Sequence, residues 1–226
     1  MVNRVPAAVQ TVRPSAAGAT RLTLVRHGEA RCNVAGVVGG RNGCTGLTDR
    51  GLEQAEALRR RLVRSGELAD VTALYSSVLA RAVQTAAVLS PAVGDGTLAV
   101  VEDCELCELH PGEADALTWE QFSARYGEPP WDDDPDVALA PGGESWSGFV
   151  ARAAAALEGI AGRHAGEHVA VVCHAGVVEA AMLRLLPLRP EVTRLGLSTV
   201  HVSLTDWEHS DRWRLLRYND AAHLGA

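Results

Sequence analysis

The chain contains no lysine, and all 21 of its basic residues are arginine. The absence of lysine excludes a Walker A nucleotide loop and any mechanism that passes through a lysine Schiff base, including pyridoxal phosphate chemistry. It does not exclude phosphate binding, because the planar guanidinium of arginine binds phosphate through two parallel hydrogen bonds.

Positive charge is scarce, since 28 acidic residues leave a net charge of −7. A basic face is therefore not expected, and neither nucleic acid nor an anionic membrane is predicted as a partner. The most apolar stretch, residues 169–188, is interrupted by His174, Glu179 and Arg184 and is too charged to span a bilayer. Residues 1–20 contain no apolar run typical of a signal peptide. We expect these residues to form a loose tail on a cytoplasmic protein.

Cysteine is also scarce, and its five copies form an odd number, which suits a reduced compartment better than a disulfide framework. Cys104 and Cys107 form a C-x-x-C pair, but neither a helix N-terminus nor a second ligand pair is evident beside them. We therefore expect no redox or zinc role for this pair. The run His164-Ala-Gly-Glu-His168 matches some zinc peptidases, but the glycines around it predict a loop between a helix and a strand.

The remaining pattern alternates between apolar strands and amphipathic helices. Strands are predicted at residues 21–26, 71–75, 98–101, 168–173, 198–204 and 213–218, and helices at 48–66, 78–89, 145–162 and 176–186. This alternation predicts a three-layer α/β/α sandwich with a mainly parallel sheet. Residues 21–226 are expected to form one domain, with a lid insertion at about 109–141.

Polar side chains follow several of these strands directly. Arg26 and His27 end the first strand, Arg81 lies one helical turn after the second, and His174 follows the fourth. An acidic loop with Glu102, Asp103, Glu105 and Glu108 follows the third. Because ligands bind at the carboxyl ends of parallel strands, we expect these groups to share one pocket.

This set of side chains suits phosphoryl chemistry. Two guanidiniums neutralise a phosphoryl dianion, and a neutral imidazole is a good nucleophile near pH 7. A second imidazole can hold a phosphoryl oxygen, and a carboxylic acid can protonate the departing alkoxide. We expect no metal or other cofactor, because the arginines compensate the charge.

Several motifs resemble the histidine phosphatase superfamily, in its phosphoglycerate-mutase-like branch. They occur in family order over about residues 21–223, nearly the whole chain. The motifs are Leu24-Val-Arg-His-Gly-Glu29, Leu47-Thr-Asp-Arg-Gly51, Tyr75-Ser-Ser-Val-Leu-Ala-Arg81, Leu106-Cys-Glu108, Pro141-Gly-Gly-Glu-Ser145 and Val171-Val-Cys-His174-Ala-Gly.

The resemblance implies a role for each matched residue. His27 would be the nucleophile, and Glu108 the proton donor and later the base for water. Glu102, Glu105 and Glu113 remain alternatives for that acid. The phosphoryl group would be held by Arg26, Arg81, His174, Asn33 and the N–H of Ala175.

The leading hypothesis is a metal-independent phosphomonoesterase that hydrolyses a small phosphorylated metabolite through phosphohistidine. The alternatives are a phosphoglycerate-type mutase and a non-catalytic phosphate-binding regulatory protein of the same fold. A mutase needs extra cations in its lid, but residues 102–143 contain only Arg125 and His110 as basic side chains. We also expect Trp119, Trp131 and Trp146 to line the lid. Beside them lies an acidic run (Asp132, Asp133, Asp134 and Asp136). These aspartates either face solvent or line the lid, where they would favour a neutral or cationic, partly apolar leaving group.

Overall fold

The computed structural model describes residues 18–189 and 192–225. Most of the predicted N-terminal tail lies outside these residues, and the first strand already begins at Thr20. Among the described residues, no helix is both long and apolar enough to cross a membrane.

One six-stranded sheet forms the centre of the molecule. In chain order its strands are β1 (Thr20–Arg26), β2 (Val71–Ser76), β3 (Val100–Glu102), β4 (His168–Cys173), β5 (Leu204–His209) and β6 (Trp213–Asp220). Their spatial order is β3-β2-β4-β1-β5-β6. The β3–β2, β2–β4 and β4–β1 pairs are parallel, whereas the β1–β5 and β5–β6 pairs are antiparallel. The prediction of a mainly parallel α/β sheet is confirmed.

Helices cover both faces of this sheet. They are α1 (Arg31–Ala35), α2 (Asp49–Ser65), α3 (Ala80–Leu89), α4 (Trp119–Tyr126), α5 (Trp146–Arg163) and α6 (Ala175–Leu185). Strand β4 is buried along its whole length, and alternate side chains point to opposite faces. Val169 and Val171 pack with α5 and α6, whereas Ala170 and Val172 pack with α2 and α3.

Local capping signals mark the helix ends correctly. The hydroxyl of Thr48 accepts the Gly51 N–H at the start of α2, and Gly66 ends that helix in the left-handed conformation. Thr118 caps α4 in the same way, through the N–H of Gln121. Helix α4 lies within the predicted insertion, where Phe122 anchors a small apolar cluster of its own.

Two predictions about the elements need correction. The strand expected at residues 198–204 is a loop, and β5 begins only at Leu204. The reason is that Val202 adopts a positive φ of 52°, which turns the chain out of an extended path. The short helix α1 was not predicted, because its five residues show no helical period of apolar side chains. It ends at Gly36, which adopts the left-handed conformation.

Candidate active site

The residues that follow the parallel strands meet at one edge of the sheet. Backbone hydrogen bonds extend the sheet past its strand ends, from His27 N–H to the Cys173 carbonyl (3.0 Å) and from Ser77 N–H to the Val172 carbonyl (3.1 Å). His174 follows β4 directly. The ring centroids of His27 and His174 consequently lie 5.1 Å apart.

Hydrogen bonds define which nitrogen of His27 is free to react. Its Nδ1 lies 2.6 Å from the carbonyl oxygen of Gly28, and its Nε2 lies 3.1 Å from the Nε of Arg81. Arginine Nε can only donate, so Nε2 carries the lone pair and Nδ1 carries the proton that binds Gly28. Nε2 is therefore a nucleophilic atom that faces a guanidinium.

Both imidazoles are neutral at neutral pH. Burial is the largest effect that holds the pKa of His27 well below its ordinary value, and the charge of Arg81 adds to it. Burial and Arg81 likewise hold the pKa of His174 well below the usual range. A neutral His27 needs no deprotonation before it can attack an electrophile.

The two arginines are positioned by backbone carbonyls of neighbouring loops. Arg81, in the first turn of α3, is buried and donates from Nη1 to the carbonyl of Gly39 (2.7 Å). Arg26, at the end of β1, donates to the carbonyl of Thr199. Burial lowers the pKa of Arg26, and the nearby carboxylate of Glu108 partly offsets that effect. Both guanidiniums keep further N–H groups that can bind an anion.

His174 is held from one side only. Its Nε2 lies 2.8 Å from the hydroxyl oxygen of Ser77, and its buried Nδ1 has no partner among the described residues. A buried polar atom without a partner costs free energy, so a ligand that satisfies Nδ1 would bind favourably. If Ser77 donates its proton to Nε2, the neutral ring carries its own proton on Nδ1.

Glu108 is bound at the start of α6. Its Oε2 accepts the N–H of Gly176 (3.0 Å), and its Oε1 accepts the N–H of Leu109 (3.2 Å). A Cβ at Gly176 would lie 2.1 Å from Oε1 of Glu108, so a side chain there would displace the carboxylate. The carboxylate therefore occupies one defined position at the edge of the cavity.

The other candidate acids lie elsewhere. Glu102 and Glu105 are exposed, and Glu113 accepts hydrogen bonds from Arg125 and Tyr126 on the surface. None of the three glutamates is among the described residues that line the cavity around His27. Of the four carboxylates considered, the structure brings Glu108 to the two arginines and His27.

A cavity of about 430 Å³ opens above His27. Its inner end is polar, and its outer end is formed largely by apolar and aromatic side chains. The residues that line it include Arg26, His27, Asn33, Arg81, Glu108, Trp119, Phe122, Glu128, Trp131, Leu139, Trp146 and Ala175. A cavity of this size suits a small-molecule ligand.

The three tryptophans predicted for the lid all line this cavity. Trp146 is buried, Trp131 is half-buried, and Trp119 is exposed. The rings of Trp131 and Trp146 have centroids 5.9 Å apart, and their indole nitrogens donate to the carbonyls of Val137 and Thr193. The hydrogen bonds fix both rings, so they form a preformed apolar wall.

The acidic run lies outside the cavity lining, as in the solvent-facing alternative. Among the described residues that line the cavity, none belongs to the aspartates at 132–134 or to Asp136. Asp132 is exposed and pairs with Arg194 (3.3 Å), and Asp136 accepts the hydroxyl of Ser147. The chain turns after Trp131, so the run faces away from the cavity while the ring faces into it.

Two further predicted residues line the cavity. Asn33, in α1, uses its Oδ1 to accept the N–H of Ala30 (3.1 Å), so its Nδ2 is the group that can donate to an anion. Ala175 is the first residue of α6 and stands beside His174. Every residue predicted for the phosphate site therefore lies at this edge of the sheet.

Two neighbours of the histidines were not predicted from the sequence. The ring of His201 lies 5.7 Å from that of His27, and burial, with Arg26, lowers the pKa of His201 to about 4. No sequence signal identified His201, because its segment was expected to be a strand. Ser77 stands directly after β2, which is the one signal that could have assigned it to the site.

Comparisons with known proteins agree with this geometry. Residues 22–221 match the model of the histidine phosphatase superfamily, branch 1. The chain is 33% identical over 210 residues to a metal-independent phosphoserine phosphatase of Arabidopsis thaliana, covering 92% of this chain and 84% of that protein. It is 31% identical over 211 residues to a probable phosphoglycerate mutase of Yersinia pestis, covering 89% and 93%.

A solved structure shows the same fold. A mycobacterial glucosyl-3-phosphoglycerate phosphatase in complex with VO3 superposes with a TM-score of 0.72 at 28% identity, over 88% of this chain and 98% of that one. The family model covers more than half of the chain. The chain belongs to the histidine phosphatase superfamily, branch 1.

Proposed function

We infer that the protein is a metal-independent phosphomonoesterase that acts through a phosphohistidine. The observation that carries this proposal is the buried, neutral His27, whose Nε2 lone pair faces the Arg81 guanidinium. A phosphoryl group that replaced the hydrogen bond between them would meet the Nε2 lone pair, with the guanidinium beside it to bind the phosphoryl oxygens.

The proposed reaction has two displacements at phosphorus. In the first, Nε2 of His27 forms a bond to phosphorus while the bond to the leaving oxygen breaks, and Glu108 gives that oxygen its proton. In the second, Glu108 takes a proton from water as the water oxygen attacks phosphorus, and the bond to Nε2 breaks. Inorganic phosphate and the alcohol are the products, and both side chains return to their starting forms.

The phosphoryl oxygens would be held by groups that already point to one edge of the sheet. Arg26 and Arg81 supply charge-assisted donors, and His174 supplies an Nδ1 proton when Ser77 donates to its Nε2. Charge compensation by two arginines requires no metal ion, which agrees with the name of the Arabidopsis thaliana relative.

Hydrolysis is favoured over mutase chemistry by the outer end of the cavity. A mutase must hold a second anionic group, but Arg125 binds Glu113 on the surface and His110 faces Glu144. Beyond the phosphoryl end, Glu128 is the charged side chain that the described cavity residues provide. We therefore propose a leaving group that is neutral or cationic and partly apolar, packed against the tryptophans.

A panel of phosphomonoesters tests this assignment in the presence of a chelator. We expect kcat/KM for phenyl phosphate and phosphorylcholine to exceed that for 3-phosphoglycerate and fructose 1,6-bisphosphate by about tenfold or more. The reason is that Glu128 repels an anionic leaving group and no cation beside it, among the described cavity residues, compensates that charge. The measurement is phosphate release at matched concentrations.

The control variants isolate the role of that carboxylate. Glu128→Gln should reduce the preference, whereas Glu120→Gln, on the exposed side of α4, should leave it unchanged. A strong preference for bisphosphates would contradict the proposed leaving group. Phosphate transfer between two glycerate positions without net hydrolysis would indicate the mutase instead.

Gly176→Ala tests the position of Glu108 without changing any ionisable group. A Cβ at this position would lie 2.1 Å from Oε1 of Glu108 and 2.9 Å from the ring of Phe149. We expect kcat to fall by about tenfold or more, together with about 1–3 kcal/mol of stability lost to overpacking.

Gly162→Ala is the matched control, because it lies in α5 with no atom within 4 Å of the new Cβ. It should keep full activity and gain about 0.5–1 kcal/mol of stability. Steady-state kinetics and thermal unfolding measure both effects. Full activity in Gly176→Ala would mean that the observed carboxylate position is not the reactive one.

A further inference from the structure

Three ligand-type side chains come together on the loop that carries Glu108. The sulfur atoms of Cys104 and Cys107 lie 3.6 Å apart, and the Cys104 sulfur lies 3.7 Å from Nε2 of His110. All three ligand atoms lie within 4.8 Å of one another. The cysteine pair has no evident further ligand in the sequence, and the structure supplies His110.

These distances are compatible with a tetrahedral zinc ion. Around a tetrahedral zinc, two thiolate sulfurs lie ~3.8 Å apart, and a sulfur and an imidazole nitrogen lie ~3.6 Å apart. Two of the three observed distances already agree within about 0.2 Å. The third pair of ligand atoms, the Cys107 sulfur and the His110 nitrogen, lies within 4.8 Å. Zinc binding would bring these two atoms closer by at most ~1.2 Å. Thiolate sulfurs and imidazole nitrogens are preferred ligands of zinc, whereas magnesium and calcium prefer oxygen ligands.

The surroundings orient two of the ligands for metal binding. Nδ1 of His110 lies 3.6 Å from the carboxylate of Glu144, which also accepts the His110 backbone N–H at 2.8 Å. A carboxylate on the far nitrogen is the usual support of a metal-bound histidine, and it leaves the lone pair on Nε2. The Cys107 sulfur lies 3.4 Å from the hydroxyl oxygen of Ser77, and this contact limits its orientation.

An ion could also reach the cluster from outside. A second cavity, of about 340 Å³, is lined by Arg41, Cys104, Cys107 and His110. Cys104 and His110 are half-exposed, whereas Cys107 is buried. The cavity provides an entry path and room for a water molecule as fourth ligand, which zinc accepts when the protein supplies three.

Two other histidines, His164 and His168, have no ring nitrogen free to bind a metal ion. His164 is bonded to the Tyr75 hydroxyl and to Glu167, and His168 is bonded to Asp70 and Thr23. Both nitrogens of each ring are therefore occupied by the protein itself. The H-x-x-E-H run is a loop between α5 and β4, as predicted, and does not offer a competing site.

We propose that Cys104, Cys107 and His110 bind one zinc ion, with water as the fourth ligand. Glu108 lies between the second and third ligands in the chain, so the ion would tie the loop down on both sides of this carboxylate. Its role is to hold the loop and not to take part in phosphoryl transfer. Glu108 also lines both cavities, so the zinc site adjoins the candidate active site.

The test titrates metal-free, reduced protein with Zn²⁺, and with Co²⁺ as a spectroscopic probe. We expect one ion per chain, thiolate-to-cobalt charge-transfer bands with tetrahedral d–d bands, and a rise in melting temperature of ~5 °C at a hundredfold excess over Kd. Metal content and spectra do not require catalytic turnover, so they test zinc binding independently of the proposed phosphatase activity.

Substitutions of the ligands provide the specific test. Cys104→Ser and His110→Gln should each weaken zinc binding by more than ~100-fold, since even loss of a supporting residue costs 10–100-fold. His110 is half-exposed, so its variant provides a folded second test if the cysteine variant is unstable. His164→Ala is the control, because this histidine is bonded to Tyr75 and Glu167 elsewhere in the molecule, and the variant should bind zinc as the wild type does.

Three results would overturn the proposal. The first is a wild-type protein that binds no zinc below ~10 μM, which is weaker than any structural site. The second is zinc binding that persists unchanged in both ligand variants. The third is a Cys104–Cys107 disulfide that forms even in excess zinc and leaves the protein without metal.

Discussion

His27→Ala should reduce phosphate release by about 10⁴-fold or more, because removal of the nucleophile leaves no group to form the covalent intermediate. The substitution leaves Arg26, Arg81 and His174 in place, so binding of inorganic phosphate should persist. Rapid acid-free quenching with a phosphorus-labelled ester should trap a phosphoenzyme in the wild type and none in the variant. The loss should therefore fall on kcat and not on binding.

The control for this variant is His164→Ala, a histidine bonded to Tyr75 and Glu167 away from the cavity. It should retain the activity of the wild type. Residual activity of His27→Ala within tenfold of the wild type would mean that another group attacks phosphorus. A wild type that binds phosphate but releases none from any ester would instead support the non-catalytic alternative.

The pH dependence of the same step follows from the environment of His27. Burial and Arg81 hold the pKa of this imidazole well below its ordinary value, so it stays neutral as the pH falls through about 6.5. The rate of phosphoenzyme formation should consequently show no loss at that pH. An exposed histidine nucleophile would lose half of its reactive form there.

Glu108→Gln should separate substrates by their leaving groups. An alkoxide needs a proton as it departs, so hydrolysis of alkyl phosphates should fall by about 10²–10⁴-fold. A nitrophenolate leaves without help, so its first release should slow by less than about tenfold. Steady-state turnover of the nitrophenyl ester should still be slow, because the same carboxylate must activate water. A burst of nitrophenolate followed by slow turnover is the expected time course.

Glutamine preserves one of the two contacts that hold this residue, because its amide oxygen can still accept the N–H of Gly176 whereas its NH2 group cannot accept the N–H of Leu109. Glu105→Gln is the matched control, since Glu105 is exposed on the same loop and does not line the cavity. It should behave as the wild type. An equal loss on alkyl and nitrophenyl esters in Glu108→Gln would assign the acid to another group.

Most of the fold could be predicted from local pattern. Strand β4 was predicted with its observed limits, because an apolar run bounded by a loop and a histidine has no competing interpretation. The helix predicted at residues 48–66 matches α2, where the Thr48 hydroxyl accepts an N–H three residues away. Such signals are contained within a few residues, so they do not depend on the rest of the chain.

The loop before β5 shows where local pattern fails. Val202 is β-branched and favours a strand, yet it adopts a positive φ, and its N–H donates to the Arg26 carbonyl (2.9 Å). That hydrogen bond joins residues 176 positions apart, so no local window contains it. The same loop brings His201 to His27 and Thr199 to Arg26.

The sequence by itself determined the class of fold, the order of the strand ends and the identity of the polar groups that follow them. It did so because strand and helix periods, capping residues and family motifs are local properties. The tertiary structure alone decided that Glu108 faces the cavity while the aspartates after Trp131 do not, and that His110 joins the two cysteines. Those outcomes depend on how loops distant in sequence pack together, and this packing is set by long-range hydrogen bonds and burial.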